Sequence, residues 1–369
     1  MNGLQGVRRV SPHAFMFKAR WLAFALLWGL AACQKPVVLQ QEDFIRGADL
    51  SMLPQLEREG VVYYNSKGVE QNALDIFKAA GVNTVRIRLW VHPSGMQSSL
   101  AEVKAFSKRV HHAGLNVWLD LHYSDTWADP GKQTPPATWK GLDFNSLEDS
   151  VFTYTLRVTK TIRPEYIQIG NEINNGFLWD EGRLSHPVQF TRLLKKGAEA
   201  VREADPETQI MLHYAGYSGA VAFFGLMRKY QVDYDLIGLS YYPWWHGKSF
   251  NALQTTINQL ETTFHKKVVI AETAYPFTLL WNDQTNNFIG NVDQLIPGYP
   301  ATPEGQQAFL RALREILQQS ALKGGGFCYW EPEWVTIKGP QYNVGSPWEN
   351  LALFNFQNKA LPALSVFHP

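Results

Sequence analysis

Two cysteines among 369 residues, Cys33 and Cys328, exclude a disulfide-stapled scaffold and any zinc site built on several thiolates. Charge of one sign is equally scarce, since 34 basic side chains face 33 acidic ones for a net +1. Residues 1–32 hold four of the basic groups and none of the acidic ones, so the remainder has 30 against 33, a balance of −3. Neither value suits a nucleic-acid or polyanion binder, which concentrates positive charge. The apolar run Trp21–Leu30 is about half the length of a bilayer-crossing helix. No internal repeat, low-complexity tract or appended binding module interrupts the chain. What is abundant is aromatic surface: 13 Trp, 15 Tyr and 21 Phe, more than an aliphatic core requires. Several tryptophans fall in loops, namely Trp127, Trp139, Trp179, Trp244, Trp245, Trp281, Trp330, Trp334 and Trp348. Such rings either pack loops onto a core or stack against the apolar faces of sugar rings.

The amino-terminal segment reads as targeting sequence. Lys18 and Arg20 precede the run Trp21–Leu30, which has the size of a signal h-region. Leu30-Ala-Ala-Cys33 follows and resembles a bacterial lipoprotein box, which makes Cys33 the expected lipidation site and mature amino terminus. A plain secretory signal with a coincidental cysteine is the alternative. Met16 is a candidate start, because the residues before it add nothing to the signal. Gln34 rather than Asp after the cysteine favours the outer membrane of a Gram-negative envelope. The expected organisation is a signal over 1–32, a lipid-anchored linker over 33–43 and one domain over 44–369. With Cys33 acylated, Cys328 is left without a disulfide partner.

From residue 44 onward strand-like and helix-like stretches alternate, as parallel βα units do. Eight strands are predicted: Phe44–Asp49, Thr84–Leu89, Asn116–Leu121, Tyr166–Ile169, Gln209–His213, Leu236–Ser240, Val268–Ala271 and Gly326–Tyr329. Apolar residues at three- and four-residue spacing predict helices over Asn72–Ala80, Leu100–Ala113, Ser146–Ile162, Val188–Ala204, Ala220–Tyr230, Asn251–Phe264 and Pro303–Gln319. Long connections over 122–145, 172–186, 241–250, 273–302 and 330–350 all follow strands, whereas those after helices are short. The pattern specifies an α/β fold, a single (β/α)8 TIM barrel with long βα loops, whose site lies at the carboxyl ends of the strands.

Two carboxylates close short β-type runs, Gln168-Ile-Gly-Asn-Glu172 and Val268-Val-Ile-Ala-Glu272. Each alone could be a surface glutamate after a strand. A barrel, however, would bring both to one face, and glycosidic bond cleavage needs such a pair: one carboxyl to protonate the leaving oxygen, the other to support or attack the anomeric carbon. In Thr84-Val-Arg86-Ile-Arg88, period-two alternation puts Arg86 and Arg88 on one side. If that side is the barrel interior, Glu272 is their expected partner, and an inward arginine would hold it ionised. Asn171 would flank the reaction centre and hydrogen-bond a sugar 2-hydroxyl. His122, Asp125 and Trp127 form a dense polar and stacking cluster after the third strand. No second ligand pair follows to complete a metal site, so sugar recognition is the reading adopted. Tyr241 or Tyr242 could steer the nucleophilic carboxylate, and Trp330 would floor a sugar subsite.

Taken together, Gly47-Ala-Asp-Leu-Ser51, Arg86-Ile-Arg-Leu-Trp90, His122-Tyr-Ser-Asp-Thr-Trp-Ala-Asp-Pro130, Gln168-Ile-Gly-Asn-Glu-Ile-Asn174, Ser240-Tyr-Tyr-Pro243 and Ala271-Glu-Thr-Ala-Tyr-Pro276 resemble glycoside hydrolase family 53, the endo-β-1,4-galactanases. The resemblance runs in order over about residues 44–360. It implies a clan A barrel and retaining hydrolysis of β-1,4-galactan in type I arabinogalactan, with Glu172 as acid/base and Glu272 as nucleophile. Some bacterial members carry calcium in the loop after strand 7. Here that loop, Thr278-Leu-Leu-Trp-Asn-Asp-Gln-Thr-Asn-Asn287, holds one acid, Asp283, short of the hard oxygen donors calcium takes, so no cofactor is expected. The expected partner is galactan, with no nucleic acid, membrane contact through the anchor alone, and a monomeric state. Two alternatives stay open: another clan A β-glycanase such as a mannanase or cellulase, and a lipid-anchored glycan-binding protein that has lost catalysis.

Overall fold

The computed structural model describes residues 44–337 and 345–369; the expected signal segment, Cys33 and the linker to residue 43 lie outside them. Eight parallel strands close on themselves in sequence order: β1 (Ile45–Asp49), β2 (Thr84–Leu89), β3 (Asn116–Leu121), β4 (Tyr166–Ile169), β5 (Gln209–Ala215), β6 (Leu236–Ser240), β7 (Val268–Thr273) and β8 (Gly326–Trp330). Pairing of β1 with β8 in unbroken register from Ile45–Gly326 to Asp49–Trp330 seals the barrel. All eight strands are those predicted, four with the same bounds and β1, β5, β7 and β8 with one end shifted by one or two residues.

Local chemistry starts and stops the helices around the barrel. Asn72, Ser99, Asp143, Ser249 and Thr302 each accept a main-chain N–H of the first turn of the helix that follows. Pro187 and Pro303 sit in first turns, where a missing N–H costs nothing. Gly81 ends the helix Ala73–Ala80 at φ 101°, and a Cβ there would lie 2.4 Å from the Phe367 carbonyl oxygen. A side chain at that position would therefore push the carboxyl-terminal segment off the barrel wall. Two short helices, Leu53–Arg58 and Pro243–His246, were not expected; each is too short to show a 3.6-residue period.

Most of the apolar core lies between the strands and the helix ring. A smaller cluster fills the lower barrel interior: Ile45, Trp118, Met211, Leu236, Val269, Ala271 and Cys328. Cys328 is buried and unpaired. One step toward the carboxyl ends, the same inward faces turn polar, presenting Arg86, Asp120, Gln168 and His213, all fully or almost fully buried. Alternation thus stacks a polar layer on an apolar one, and the polar layer supports the site. Register shifts in the β6–β7 and β7–β8 ladders bracket Ala271 and Glu272, so these sequence neighbours both serve the barrel interior.

Candidate active site

Glu172 stands just past β4 on a left-handed backbone, φ 47°, preceded by Gly170 at φ 82°. A Cβ on Gly170 would meet the Ile173 side chain at 2.6 Å, so glycine is what lets the chain turn there and lift Glu172 over the barrel mouth. A non-glycine residue held in this region stores strain, a frequent mark of a functional position. The main chain beneath is clamped by Gln133 Nε2, which donates to the Asn171 carbonyl at 2.8 Å. Glu272 enters from the β7 irregularity. Both carboxyls line one cleft of about 630 Å³.

Arg86 organises the pair. Its guanidinium reaches Asp49 at 2.6 Å, Asp120 at 2.9 Å and Glu272 at 3.0 Å, and donates to Asn171 Oδ1 at 2.9 Å. One buried cation thus faces three carboxylates, with Glu172 as a fourth acid nearby. Burial would raise Asp120, but Arg86 and His122 beside it hold its carboxyl down at about 2. Burial pushes the acid of Glu172 up to about 7, against the Ser240 hydrogen bond and Arg86, which pull it down. Glu272 is likewise pushed up by burial and by Glu172, with Arg86 opposing. Two carboxyls that repel one another in a partly dry cleft keep one proton between them around neutrality. The donors decide where the charge sits. Glu272 accepts from Tyr242 Oη at 3.1 Å and pairs with the Arg86 cation, whereas Glu172 accepts from the neutral Ser240 hydroxyl at 2.5 Å. Pairing with the Arg86 cation and the Tyr242 hydroxyl thus favours the charged form of Glu272 more directly than the serine favours that of Glu172.

His122 lines the cleft, and burial lowers its pKa. Its Nδ1 accepts the Ala128 N–H at 3.0 Å and its Nε2 faces Asp120 at 2.9 Å, the bonds of a neutral ring that shapes the loop after β3. Trp127, Trp245, Trp330, Trp334 and Trp348 line the same cleft, while Trp139, Trp179 and Trp281 do not. Trp330 meets Trp127 at 5.9 Å and Trp348 at 4.6 Å between centroids. Trp348 meets Phe288 at 5.6 Å, and Phe288 meets Trp245 at 5.8 Å. These rings form an aromatic wall that runs from the glutamates to solvent.

Three expectations need correction. Tyr241 does not reach Glu272: it is fully buried, stacks on Phe309 at 6.4 Å and donates to the Gly247 carbonyl, because alternation at the end of β6 turns it into the helix layer and leaves Tyr242 inside. Arg88 lines the cleft floor, but its partner is Glu331 at 2.9 Å rather than Glu272. Its guanidinium lies 3.7 Å from the Trp127 ring centroid and fixes that aromatic from below. Asp125 lies outside the cleft lining; its oxygens accept the main-chain N–H groups of His92 at 2.9 Å and Ala137 at 2.8 Å, so it staples two loops. Residues that the sequence reading passed over are Asp120, Gln168, His213 and Ser240, each a single polar residue between apolar sequence neighbours.

In the loop after β7 the one acid of residues 278–287, Asp283, is engaged within the protein. Asp283 accepts from the N–H groups of Thr285 at 2.6 Å and Ser346 at 2.9 Å and from the Thr336 hydroxyl at 2.7 Å, so both of its oxygens face donors. Among the described residues no group of three or more His, Cys, Asp or Glu gathers to hold a metal.

A closed (β/α)8 barrel whose cleft sets a buried glutamate pair against an aromatic wall belongs to the class of barrel glycosidases. The profile of Glycosyl hydrolase family 53 matches residues 45–367, and the chain belongs to that family. It is 36% identical to the arabinogalactan endo-beta-1,4-galactanase of Cellvibrio japonicus (strain Ueda107) over 92% of this chain and 94% of that one. Among solved structures, the Ignisphaera aggregans GH53 catalytic domain superposes with a TM-score of 0.84 at 37% identity, covering 88% of this chain and 95% of that one. A chain from a structure of two fungal beta-1,4-galactanases gives 0.77 at 32% identity, covering 88% and 98%.

Proposed function

We propose that the protein is a retaining endo-β-1,4-galactanase in which Glu172 is the acid/base and Glu272 the nucleophile. The observation that carries this reading is the unequal setting of two carboxyls in one cleft: Glu272 beside a guanidinium and a tyrosine hydroxyl, Glu172 beside a neutral serine. Environments that separate two acids in this way assign their roles. Glu172 gives its proton to the leaving glycosidic oxygen while Glu272 attacks the anomeric carbon; the C1–O bond breaks as the C1–carboxylate bond forms. Glu172, now ionised, takes a proton from water, the water oxygen attacks C1, and Glu272 is released. Two displacements return the β configuration. Galactan as substrate draws support from the names of relatives identical at 32% and 36% of positions. The long βα loops and open aromatic wall suit attack within a polymer.

The Leu30-Ala-Ala-Cys33 box motivates a further part of the proposal: a monomeric enzyme anchored by lipid to the cell envelope, in the outer membrane, where it trims galactan. Reducing-end release should be at least about 100-fold faster on β-1,4-galactan than on β-mannan or cellulose, because a site shaped to hydrogen-bond the hydroxyls of one sugar rejects sugars whose hydroxyls point elsewhere. Faster release from mannan or cellulose would assign the chain to another β-glycanase specificity, and no release from any of them would favour a binding role.

A further inference from the structure

We propose that His213 and Ser240 form a positioning relay that makes Oε1 of Glu172 a hydrogen-bond acceptor, so that the proton transferred in catalysis rides on Oε2. Neither residue touches the reacting atoms; both act through Glu172. The inference rests on the acid/base role given to Glu172 above.

The relay begins in the polar layer of the barrel. The Gln168 side-chain amide has a fixed orientation, because Oε1 accepts from Arg86 Nε at 3.3 Å and Nε2 donates to the Asp120 carboxylate at 2.6 Å. That same Nε2 lies 3.0 Å from His213 Nδ1, and the main-chain N–H of Glu172 also points at this nitrogen, at 3.4 Å. Both groups can only donate. Asn171 Oδ1, 3.0 Å from Nδ1, accepts from Arg86 at 2.9 Å, and it is the main-chain N–H of Glu172, whose hydrogen has one fixed direction, that marks Nδ1 as the accepting nitrogen. His213 Nδ1 is therefore an acceptor and carries no proton. The ring is fully buried, and burial together with the nearby Arg86 lowers its pKa well below the usual histidine value, so it stays neutral with its hydrogen on Nε2.

Nε2 lies 2.9 Å from Ser240 Oγ. A serine oxygen that accepts from Nε2–H turns its own hydrogen elsewhere, and Glu172 Oε1 is 2.5 Å away. The direction of donation is thus set from the barrel interior outward: Nε2–H to Oγ, then Oγ–H to Oε1. When Glu172 is protonated, Oε1 is occupied as an acceptor and the hydrogen sits on Oε2. When Glu172 has given up its proton, the same serine hydrogen steadies the carboxylate that must act as base. A charge-assisted bond of this kind favours the ionised form.

Other groups also face Glu172: Arg86 from β2, Asp120 from β3, Asp129 from the loop after it, Glu272 from β7 and Tyr242 after β6. All are retained in a Ser240→Ala variant, so a comparison with the wild type isolates the hydroxyl. Removing it should raise the Glu172 pKa by about one unit, the size of a hydrogen bond to a charged group. The side-chain carboxyl of Glu172 can be followed directly by ¹³C NMR titration of the folded full-length protein, with no substrate present. The expected result is an upfield-to-downfield transition displaced by about one pH unit in Ser240→Ala and returned to within about a third of that in Ser240→Thr, which keeps the hydroxyl.

Kinetics should agree. The alkaline limb of kcat/KM should shift upward with the NMR value. Turnover of galactan, whose leaving group needs the proton, should fall about 10- to 100-fold, while a dinitrophenyl β-galactobioside should lose far less in its first step. An unmoved Glu172 titration in a folded Ser240→Ala protein would overturn the relay, as would an equal loss on both substrates with an unchanged pH profile. Because the titration needs no turnover, the relay stands or falls by it even if galactan proves not to be the substrate.

Discussion

Glu272→Gly is expected to lose at least about 10⁴-fold in turnover on galactan, the scale seen when a nucleophile acting with its partner groups is deleted. The loss should be specific to chemistry. Glycine removes a carboxylate that is 6% exposed and paired with Arg86, yet it leaves the cleft wall of aromatic rings in place. Arg86 keeps two other acid partners, Asp49 and Asp120, so the cation is not stranded. Azide can then occupy the vacated space and attack the anomeric carbon of an activated β-galactoside, while Glu172 remains to assist departure of the leaving group. A single displacement inverts the centre, and the product should be the α-galactosyl azide. Formation of that azide identifies Glu272 as the missing nucleophile; a β-azide, or a variant with near wild-type turnover, would remove Glu272 from that role.

Glu172→Ala should cost about 10²- to 10⁴-fold on galactan, the usual contribution of a positioned acid/base group. The penalty should depend on the leaving group. A dinitrophenyl glycoside departs without protonation, so its first displacement should survive, and the second, which needs a base, should become limiting. Added azide should restore that second step and give the β-galactosyl azide, the opposite anomer to that from Glu272→Gly. The pH profile supplies a separate check. Burial holds the Glu172 acid at about 7, so the protonated form needed for catalysis is present below that pH and is lost as pH rises through it. The wild-type kcat/KM should decline on that alkaline limb, and the variant should not show it. A limb that persists unchanged in Glu172→Ala would assign the titration to another group.

The barrel was legible because its strands are short apolar runs followed by long loops, and because helix starts carry side-chain caps or proline. The two glutamates were legible because each closes such a run. What escaped is the layer beneath them. Asp120, Gln168, His213 and Ser240 each stand alone among apolar neighbours, and a lone polar residue in a strand reads as well as a solvated edge as it does as part of an interior network. The signal lay in the phase: Arg86 and Arg88, Asp120 and His122, and Ser240 and Tyr242 are two residues apart, so each pair shares a side of its strand. The same phase rule separates Tyr241 from Tyr242 and sends Tyr241 into the helix layer. Partner choice was harder. Arg88 finds Glu331, 243 residues away, and only barrel closure brings β8 beside β1 and within reach of β2. Asp125 misled for a different reason: carboxylates near a site are as useful for tying loop N–H groups together as for touching a ligand.

The unequal setting of the two carboxyls leads to one outcome that a single measurement can read. Proton NMR of the enzyme acting on short β-1,4-galactan oligomers, recorded before mutarotation equalises the anomers, should show the β-anomeric signal of new reducing ends first and the α signal only later. An α signal appearing first would mean inversion by directly activated water, and would contradict a covalent role for Glu272.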